Sequence, residues 1–294
     1  MTARLRSLLF VPADSPRKFA KAQGCGADAL ILDLEDSVAS GMKAAAREHV
    51  ASILAQPAQR AWQLYVRINP LDTGLTLSDL AVVVRPGLDG IMLPKSNGAH
   101  DVIQLGHYLD AFEAVQGMTI GTTRIAVVAT ETPAAMFALG SYAPPHPRLA
   151  ALTWGGEDLG AAVGATDNKE PDGGWTFPYQ LARAHCLLAA AAAEVAPIDT
   201  LYADFRNAEG LAGDCRRARR DGFTGRLAIH PDQVPVINAS FAPSEADVIQ
   251  ARRVVEAFAA NPDAGTIGID GKMYDIPHLK AARRTLASVG DVET

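Results

Sequence analysis

Two acidic residues in the middle of the chain, Glu131 and Asp158, each stand just past a short apolar run. Arg124-Ile-Ala-Val-Val-Ala-Thr130 precedes the first, and Leu149 to Trp154 precedes the second. Such runs suit strands covered on both faces, and Gly155 and Gly156 let the backbone turn so that Asp158 falls where the strand opens into a loop. If the two strands are neighbours in a parallel sheet, both carboxylates project at one edge and can share a hard divalent cation. Magnesium is the natural occupant, because it takes one or two protein carboxylates and fills its remaining octahedral positions with water and substrate oxygens. An ion held in this way acts on an oxygen-rich ligand as a Lewis acid.

The same pattern of an apolar run closing on charged residues recurs along the chain. Ser7-Leu-Leu-Phe-Val-Pro12 leads to Ser15-Pro16, where Ser15 can cap a helix that begins at proline. Ala29 to Asp33 runs on into Glu35 and Asp36, Gln63 to Ile68 contains Arg67, and Gly90 to Pro94 ends on Lys95. A seventh strand is expected over Asp199 to Asn207, with Asp204 near its end, and an eighth over Gly225 to Pro231, with His230. Helical segments lie at 41–54, 97–115, 134–142, 176–195 and 208–222. Strand and helix alternate about eight times, which predicts an α/β fold, a (β/α)8 TIM barrel over 1–235. A C-terminal helical extension follows over 236–294, with a helix from Ser244 to Ala260, a hairpin-like loop from Gly268 to Pro277, a helix to about Ser288 and a frayed tail from Gly290.

In such barrels the site lies at the carboxyl ends of the strands. The residues placed there are Asp33, Glu35, Asp36, Arg67, Lys95, Glu131, Asp158, Asp204 and His230. Burying each without a partner would cost several kcal/mol, roughly, so they are expected to neutralise one another around a polar cavity. Plainer roles are open to several: Lys95 could pair with Asp33 or Glu35, His230 could be a satisfied core residue, and Asp204 with Arg206 could cap the next helix. Arg67 could fork onto a carboxylate of the rim itself.

Composition narrows the classes. With 294 residues, 48% hydrophobic and 20% charged, the chain can build one large core. Its formal net charge of -6 offers no general attraction to nucleic acid, and the basic run Arg216-Arg217-Ala-Arg219-Arg220 reads as a solvated helix face. Cys25, Cys186 and Cys215 have no metal-ligand spacing and read as reduced thiols, implying a cytoplasmic location. No signal peptide precedes the first strand and no apolar run is long enough for a membrane span.

The motifs Arg6-Ser-Leu-Leu-Phe-Val-Pro12, Ile31-Leu-Asp-Leu-Glu-Asp-Ser37, Val66-Arg-Ile-Asn-Pro70, Met92-Leu-Pro-Lys95, Glu131-Thr132, Gly156-Glu-Asp-Leu159, Ala228-Ile-His-Pro231 and Asp270-Gly-Lys-Met-Tyr-Asp275 occur in this order. Together they resemble the citrate lyase beta subunit and acyl-CoA lyase family, HpcH/HpaI aldolase-like members of the phosphoenolpyruvate/pyruvate barrel superfamily, from about Arg6 to Leu286. The resemblance implies Mg2+ on Glu131 and Asp158, with Arg67 on the carboxylate or carbonyl oxygen of a small 2-oxo or 2-hydroxy acid. It implies proton transfer by Asp275, supplied to a neighbouring subunit's site in a homo-oligomer, commonly a trimer or hexamer. Arg17 and Lys18 match the region that helps hold coenzyme A phosphates. The family's usual Gly-Ala-Glu-Asp reads Gly155-Gly156-Glu157-Asp158 here, a small-for-small change expected to leave the metal site intact. The activity implied is a Mg-dependent carbon-carbon lyase acting on a CoA thioester of citramalyl or malyl type. A citrate lyase beta subunit, a malyl-CoA thioesterase and a non-catalytic barrel subunit are its alternatives.

Overall fold

The computed structural model describes residues 5–56 and 60–290, so the tail beyond Gly290 lies outside the described residues. Contacts within the chain divide it into two compact units, one over Leu5–Asn238 and one formed chiefly by Ala239–Thr294. The first is a closed barrel of eight parallel strands in sequence order. These are β1 (Ser7–Pro12), β2 (Ala29–Asp33), β3 (Gln63–Arg67), β4 (Gly90–Leu93), β5 (Arg124–Val128), β6 (Leu149–Thr153), β7 (Ala196–Asp199) and β8 (Gly225–Ala228). The helices between them are α1 (Pro16–Ala22), α2 (Lys43–Leu54), α3 (Thr76–Val83), α4 (Ala99–Val115), α5 (Pro133–Met136), α6 (Glu157–Val163), α7 (Phe177–Ala192), α8 (Ala208–Asp221) and α9 (Gln233–Phe241). The (β/α)8 fold read from the alternation is the fold observed.

Inside the barrel, alternate residues of the strands meet: Leu8, Ala29, Ile31, Tyr65, Met92, Ala126, Val128, Ala151, Ile198 and Leu227 form one buried cluster. The period of two along each strand sets what comes next at the mouth. After Ala29 and Ile31 the third inward position of β2 is Asp33, and after Tyr65 the next inward position of β3 is Arg67. Asp33 and Arg67 are paired in the strand register. An ion pair thus closes the apolar filling at the carboxyl end.

Three local expectations are corrected. The seventh strand is Ala196–Asp199, not Asp199–Asn207. Glu194 ends the preceding helical stretch at φ 54°, and the strand runs through Pro197, whose carbonyl accepts from Thr224 N at 2.9 Å although its nitrogen can donate nothing. Proline inside a central strand is rare, because it brings no donor to the ladder. Asp204 is therefore not a strand-end residue; its side chain accepts from Arg206 N at 3.3 Å within a turn, and Asn207 caps α8. The segment 134–142 holds α5 and a separate 3-10 turn, Leu139–Tyr142. Ser15 occupies the N-cap position of α1 but makes no capping hydrogen bond, leaving Pro16 as the start signal.

Asp199 ends β7 facing outward, away from the mouth, in a fully buried polar hub. It accepts from Trp154 Nε1 at 2.6 Å and from Arg226 Nη2 at 2.7 Å, with Arg183 at 3.3 Å; Arg226 also reaches Asp214 at 2.5 Å. The basic run on α8 is mostly exposed, with Arg217 paired to Asp214. The cysteines are unpaired, and among the described residues no helix is long and apolar enough to cross a membrane.

The second unit holds α10 (Glu245–Ala259), an antiparallel hairpin of β9 (Thr266–Ile269) and β10 (Lys272–Asp275), and α11 (Ile276–Ser288). Its core is Ala251, Val254, Val255, Phe258, Leu279, Ala282 and Leu286. Ser244 caps α10 in a reciprocal box with Asp247, as its sequence position predicts.

Replacing Asp199 by leucine strands the buried Trp154 N–H and removes one of the two carboxylates that each of Arg226 and Arg183 holds. We expect a loss of about 3–5 kcal/mol in urea-unfolding stability, the range for breaking a buried ion pair; a loss under about 1 kcal/mol would show that the hub is not structural.

Candidate active site

The mouth of the barrel gathers the charged residues that follow β2 to β6. Asp33 and Arg67 make a two-pronged pair: Arg67 Nε donates to Oδ1 at 2.8 Å and Nη2 to Oδ2 at 2.7 Å. Arg67 Nη1 lies 2.9 Å from Glu35 Oε2, and the guanidinium lies over the Phe10 ring, 4.8 Å from its centroid. All three guanidinium nitrogens thus face these two acids, so Arg67 has rim acids as partners. Burial opposes the charge of Asp33, but the fork from Arg67 and the bonds from Ser37 and Glu35 hold its carboxyl below the ordinary range. The same acids raise the pKa of Arg67 against the opposing effect of burial.

The β2–α2 turn that carries Glu35 is fixed from below. Asp33 accepts from the Glu35 and Ser37 amides at 2.9 and 3.1 Å. Lys43 donates to the Leu34 and Glu35 carbonyls and to Asn69 Oδ1 at 2.7–2.8 Å, while Asn69 donates in turn to buried Asp79. Lys43, Asn69 and Asp79 were not singled out from the sequence. Asn69 follows a strand-ending arginine, but nothing local shows that Lys43 and Asp79 converge on it. An open cleft of about 430 Å³ runs past Glu35, Asp36, Lys43, Asn69, Thr73 and Lys95.

Glu131 and Asp158 meet at Lys95. The Lys95 amide donates to Glu131 Oε2 at 2.5 Å. The Lys95 ammonium contacts Glu35 and lies 3.2 Å from Asp36 Oδ2 and 3.3 Å from Asp158 Oδ1. The expected pairing of Lys95 with Glu35 is present, and Lys95 also lies against Asp158, giving it a basic partner distant in sequence. Asp158 sits in the first turn of α6 rather than in a loop, because the turn at Gly155-Gly156 passes directly into a helix whose N-terminus favours the acids at 157 and 158.

Burial, reinforced by the charges of Asp158 and Glu35, pushes the Glu131 carboxyl up to about 8 against the hydrogen bond from the Lys95 amide. Glu35 is likewise raised by burial, opposed by Arg67 and Lys95. Lys95 is raised, because its bond to Glu35 and the surrounding acids outweigh its burial. The site thus has more acids than cations facing them, all with hard oxygen donors. Among the described residues no group of three or more His, Cys, Asp or Glu side chains is arranged for a metal. A cation here would rest on Glu131 and Asp158 with ligand or solvent oxygens completing its shell, a set that fits a magnesium ion.

Two glycines set the approach of these groups. A Cβ on Gly155 would stand 3.0 Å from Glu131 Cγ, and one on Gly156 would stand 2.7 Å from the Trp175 ring. Gly156 is therefore matched to Trp175, which packs on Trp154 with ring centroids 5.0 Å apart. In this chain alanine at 156 would force the Trp175 ring to move, so the two small residues are not equivalent.

Of the remaining candidates, Arg17, Lys18 and His230 belong to the first unit and Asp275 to the second. Arg17 and Lys18 are exposed in the first turn of α1, at the carboxyl end of β1. His230 is not a core residue: its ring stacks on Phe205 at 4.6 Å, and Nδ1 accepts from the Asp232 amide at 3.2 Å. Asp275 belongs to the second unit and caps α11 in a reciprocal box with His278, whose ring Nδ1 is 2.5 Å from its Oδ1. The bond from His278 lowers the Asp275 pKa.

With this geometry in view, a family model described as HpcH/HpaI aldolase/citrate lyase matches residues 6–231. The chain is 33% identical to the citrate lyase subunit beta of Haemophilus influenzae over 96% of this chain and 95% of that one. It is 34% identical to the (3S)-malyl-CoA thioesterase of Cereibacter sphaeroides over 96% and 93%. Its fold is similar to the crystal structure of protein CitE from Mycobacterium tuberculosis in complex with magnesium, acetoacetate and coenzyme A. That match has a TM-score of 0.79 and 32% identity, and it covers 99% of this chain and all of the other.

The raised Glu131 carboxyl gives a signed expectation. With its folded pKa near 8 against the ordinary 4.5, the stability it contributes is fully present below about pH 4.5 and is lost as pH rises towards 8. In EDTA the thermal midpoint should fall between pH 5 and 8 more steeply for the native chain than for Glu131→Gln; parallel profiles would show that Glu131 does not titrate in this window.

Proposed function

The chain belongs to the HpcH/HpaI aldolase/citrate lyase family, and on that footing we propose that it is a magnesium-dependent carbon-carbon lyase. Its substrate in this reading is a 3-hydroxyacyl-CoA of citramalyl or malyl type, cleaved to a 2-oxo acid and acetyl-CoA. The observation that supports the reading is that Glu131 and Asp158 both engage Lys95 at the mouth, one at its amide and the other at its ammonium, with the Arg67–Asp33 fork beside them. The similar CitE structure, described as a complex with magnesium, acetoacetate and coenzyme A, supports both the ion and the ligand class.

A metal on Glu131 and Asp158 would supply Lewis-acid charge to the hydroxyl and carboxylate oxygens of the substrate. Arg67 binds the carboxylate through its remaining N–H groups, and its fork onto Asp33 fixes the plane in which those donors point. That fixed positive charge lowers the cost of the oxyanion as the hydroxyl proton passes to solvent and the carbonyl forms; the proton that Asp275 returns to the carbon is drawn from solvent in turn. The bond from the carbinol carbon to the thioester's α-carbon then breaks, and its electron pair leaves as the thioester enolate. Asp275 is assigned the proton transfer at that carbon, returning a proton in cleavage and removing one in condensation. It would come from the second unit of a neighbouring copy, so the active form would be a homo-oligomer, a trimer or hexamer. Arg17 and Lys18, on the rim, would meet the coenzyme A phosphates. A cytoplasmic site of action goes with this substrate.

The relatives keep two other outcomes in play. A citrate lyase beta subunit would take the acyl group from a carrier protein, and a malyl-CoA thioesterase would use water as its second substrate. Products separate them, since a keto acid marks the lyase and malate with free thiol marks the thioesterase.

Glu131→Gln and Asp158→Asn should each abolish metal-dependent turnover of malyl-CoA or citramalyl-CoA while the circular dichroism spectrum is retained. Asp275→Asn should lower the rate by roughly 10²–10⁴, the usual scale of a lost acid-base group. An unchanged rate in either metal-site variant would remove the proposed mechanism.

A further inference from the structure

Lys95 is one of three non-glycine residues of the described chain with positive φ, at 50°. A side chain held in the left-handed region persists where its surroundings fix it, and such residues gather at functional sites. Here the conformation lets one residue face two ways. Its amide holds Glu131 Oε2 at 2.5 Å, and its ammonium turns back to Glu35, to Asp36 at 3.2 Å and to Asp158 at 3.3 Å. Both acids assigned above to the metal are thus already engaged by Lys95, one through the backbone and one through the side chain.

We propose that Lys95 is a built-in counter-cation that competes with the divalent metal for Asp158 and so holds metal affinity down. The proposal rests on the metal site assigned to Glu131 and Asp158. In the free protein the ammonium supplies part of the positive charge that the acids require. When a divalent ion arrives, the ammonium gives up Asp158 and keeps Glu35 and Asp36, which already hold it from the other side. The two cations then stand a few ångströms apart and repel, which weakens binding of the metal alone. A 2-oxo acid beside Arg67 adds a negative charge that offsets this repulsion. Metal and keto acid therefore bind cooperatively, each raising the affinity of the other by the same factor.

The geometry divides the two functions of Lys95 between variants. Lys95→Met removes the charge and keeps the length. Lys95→Gly removes the side chain but adopts the left-handed backbone without strain, so the amide bond to Glu131 survives even if the methionine variant folds poorly. Lys95→Arg keeps the charge. The test is titration of the full-length chain with Mn2+, an ion that accepts the same oxygen ligands as Mg2+, followed by the electron paramagnetic resonance signal of the free ion, with and without pyruvate. Lys95→Met and Lys95→Gly should bind Mn2+ at least about tenfold more tightly than the native chain, as expected for removing a unit charge a few ångströms from a divalent one. The enhancement by pyruvate should shrink in both, while Lys95→Arg stays near the native value.

Unchanged or weaker Mn2+ binding in the folded methionine or glycine variant overturns the counter-cation role while leaving the metal site standing, provided Glu131→Gln and Asp158→Asn lose the ion. If the native chain fails to bind Mn2+, or the two carboxylate variants bind as it does, the metal site is wrong and the role of Lys95 falls with it.

Discussion

Acid crowded at the mouth of an apolar cylinder is the constraint to which the rest of the barrel answers. Asp33, Glu35 and Glu131 are nearly withdrawn from solvent, and a carboxylate in such a place must be paired, protonated or bound to a cation. Each answer is used. Asp33 is paired by the fork from Arg67, Glu35 stands between Arg67 and Lys95, and Glu131 has its pKa lifted towards neutrality. The barrel makes this arrangement possible because β2 to β6 each lead into charged residues at or beyond the carboxyl ends of their ladders. The helices and the Lys43–Asn69–Asp79 chain then hold the turns that present those residues. Apolar burial below, from Ile31, Tyr65, Met92 and Val128, stabilises the scaffold that keeps like charges close.

The sequence made the scaffold legible because its signals are local. Eight short apolar runs interrupted by turn residues are enough to specify strand and crossover, and charged residues at run ends point to the rim without any knowledge of their partners. What it left open is non-local. Whether Arg67 serves a ligand or a neighbour depends on Asp33, thirty-four residues away, and the structure shows the guanidinium forked onto that neighbour. Gly156 looked exchangeable with alanine until Trp175 was placed against it. The shift of β7 has a different cause. Pro197 brings no donor to the ladder, yet the strand ends on Asp199, which Trp154 and Arg226 fix through non-local bonds.

The second unit poses the same question of divided duty. Asp275 begins α11: its carboxylate accepts from the His278 amide, its own amide donates to His278 Nδ1, and that ring nitrogen stands against the carboxylate. A capping aspartate is held as the anion by the helix terminus and the bonds it accepts, which accords with its lowered pKa. An anion stabilised in this way is a weak base. In the chemistry proposed, a weak base suffices when the proton it removes is itself made acidic, and that acidity comes from delocalising the carbanion into the thioester carbonyl. The cap also fixes where the carboxylate points, because α11 cannot begin elsewhere without losing both Pro277 in its first turn and the reciprocal bond from His278. Orientation is thereby secured by the helix itself, at the expense of basicity. In the proposed reaction the division of labour would follow: the barrel mouth would supply the electrostatic work on oxygen, and the C-terminal unit a carboxylate whose value lies in position more than in proton affinity.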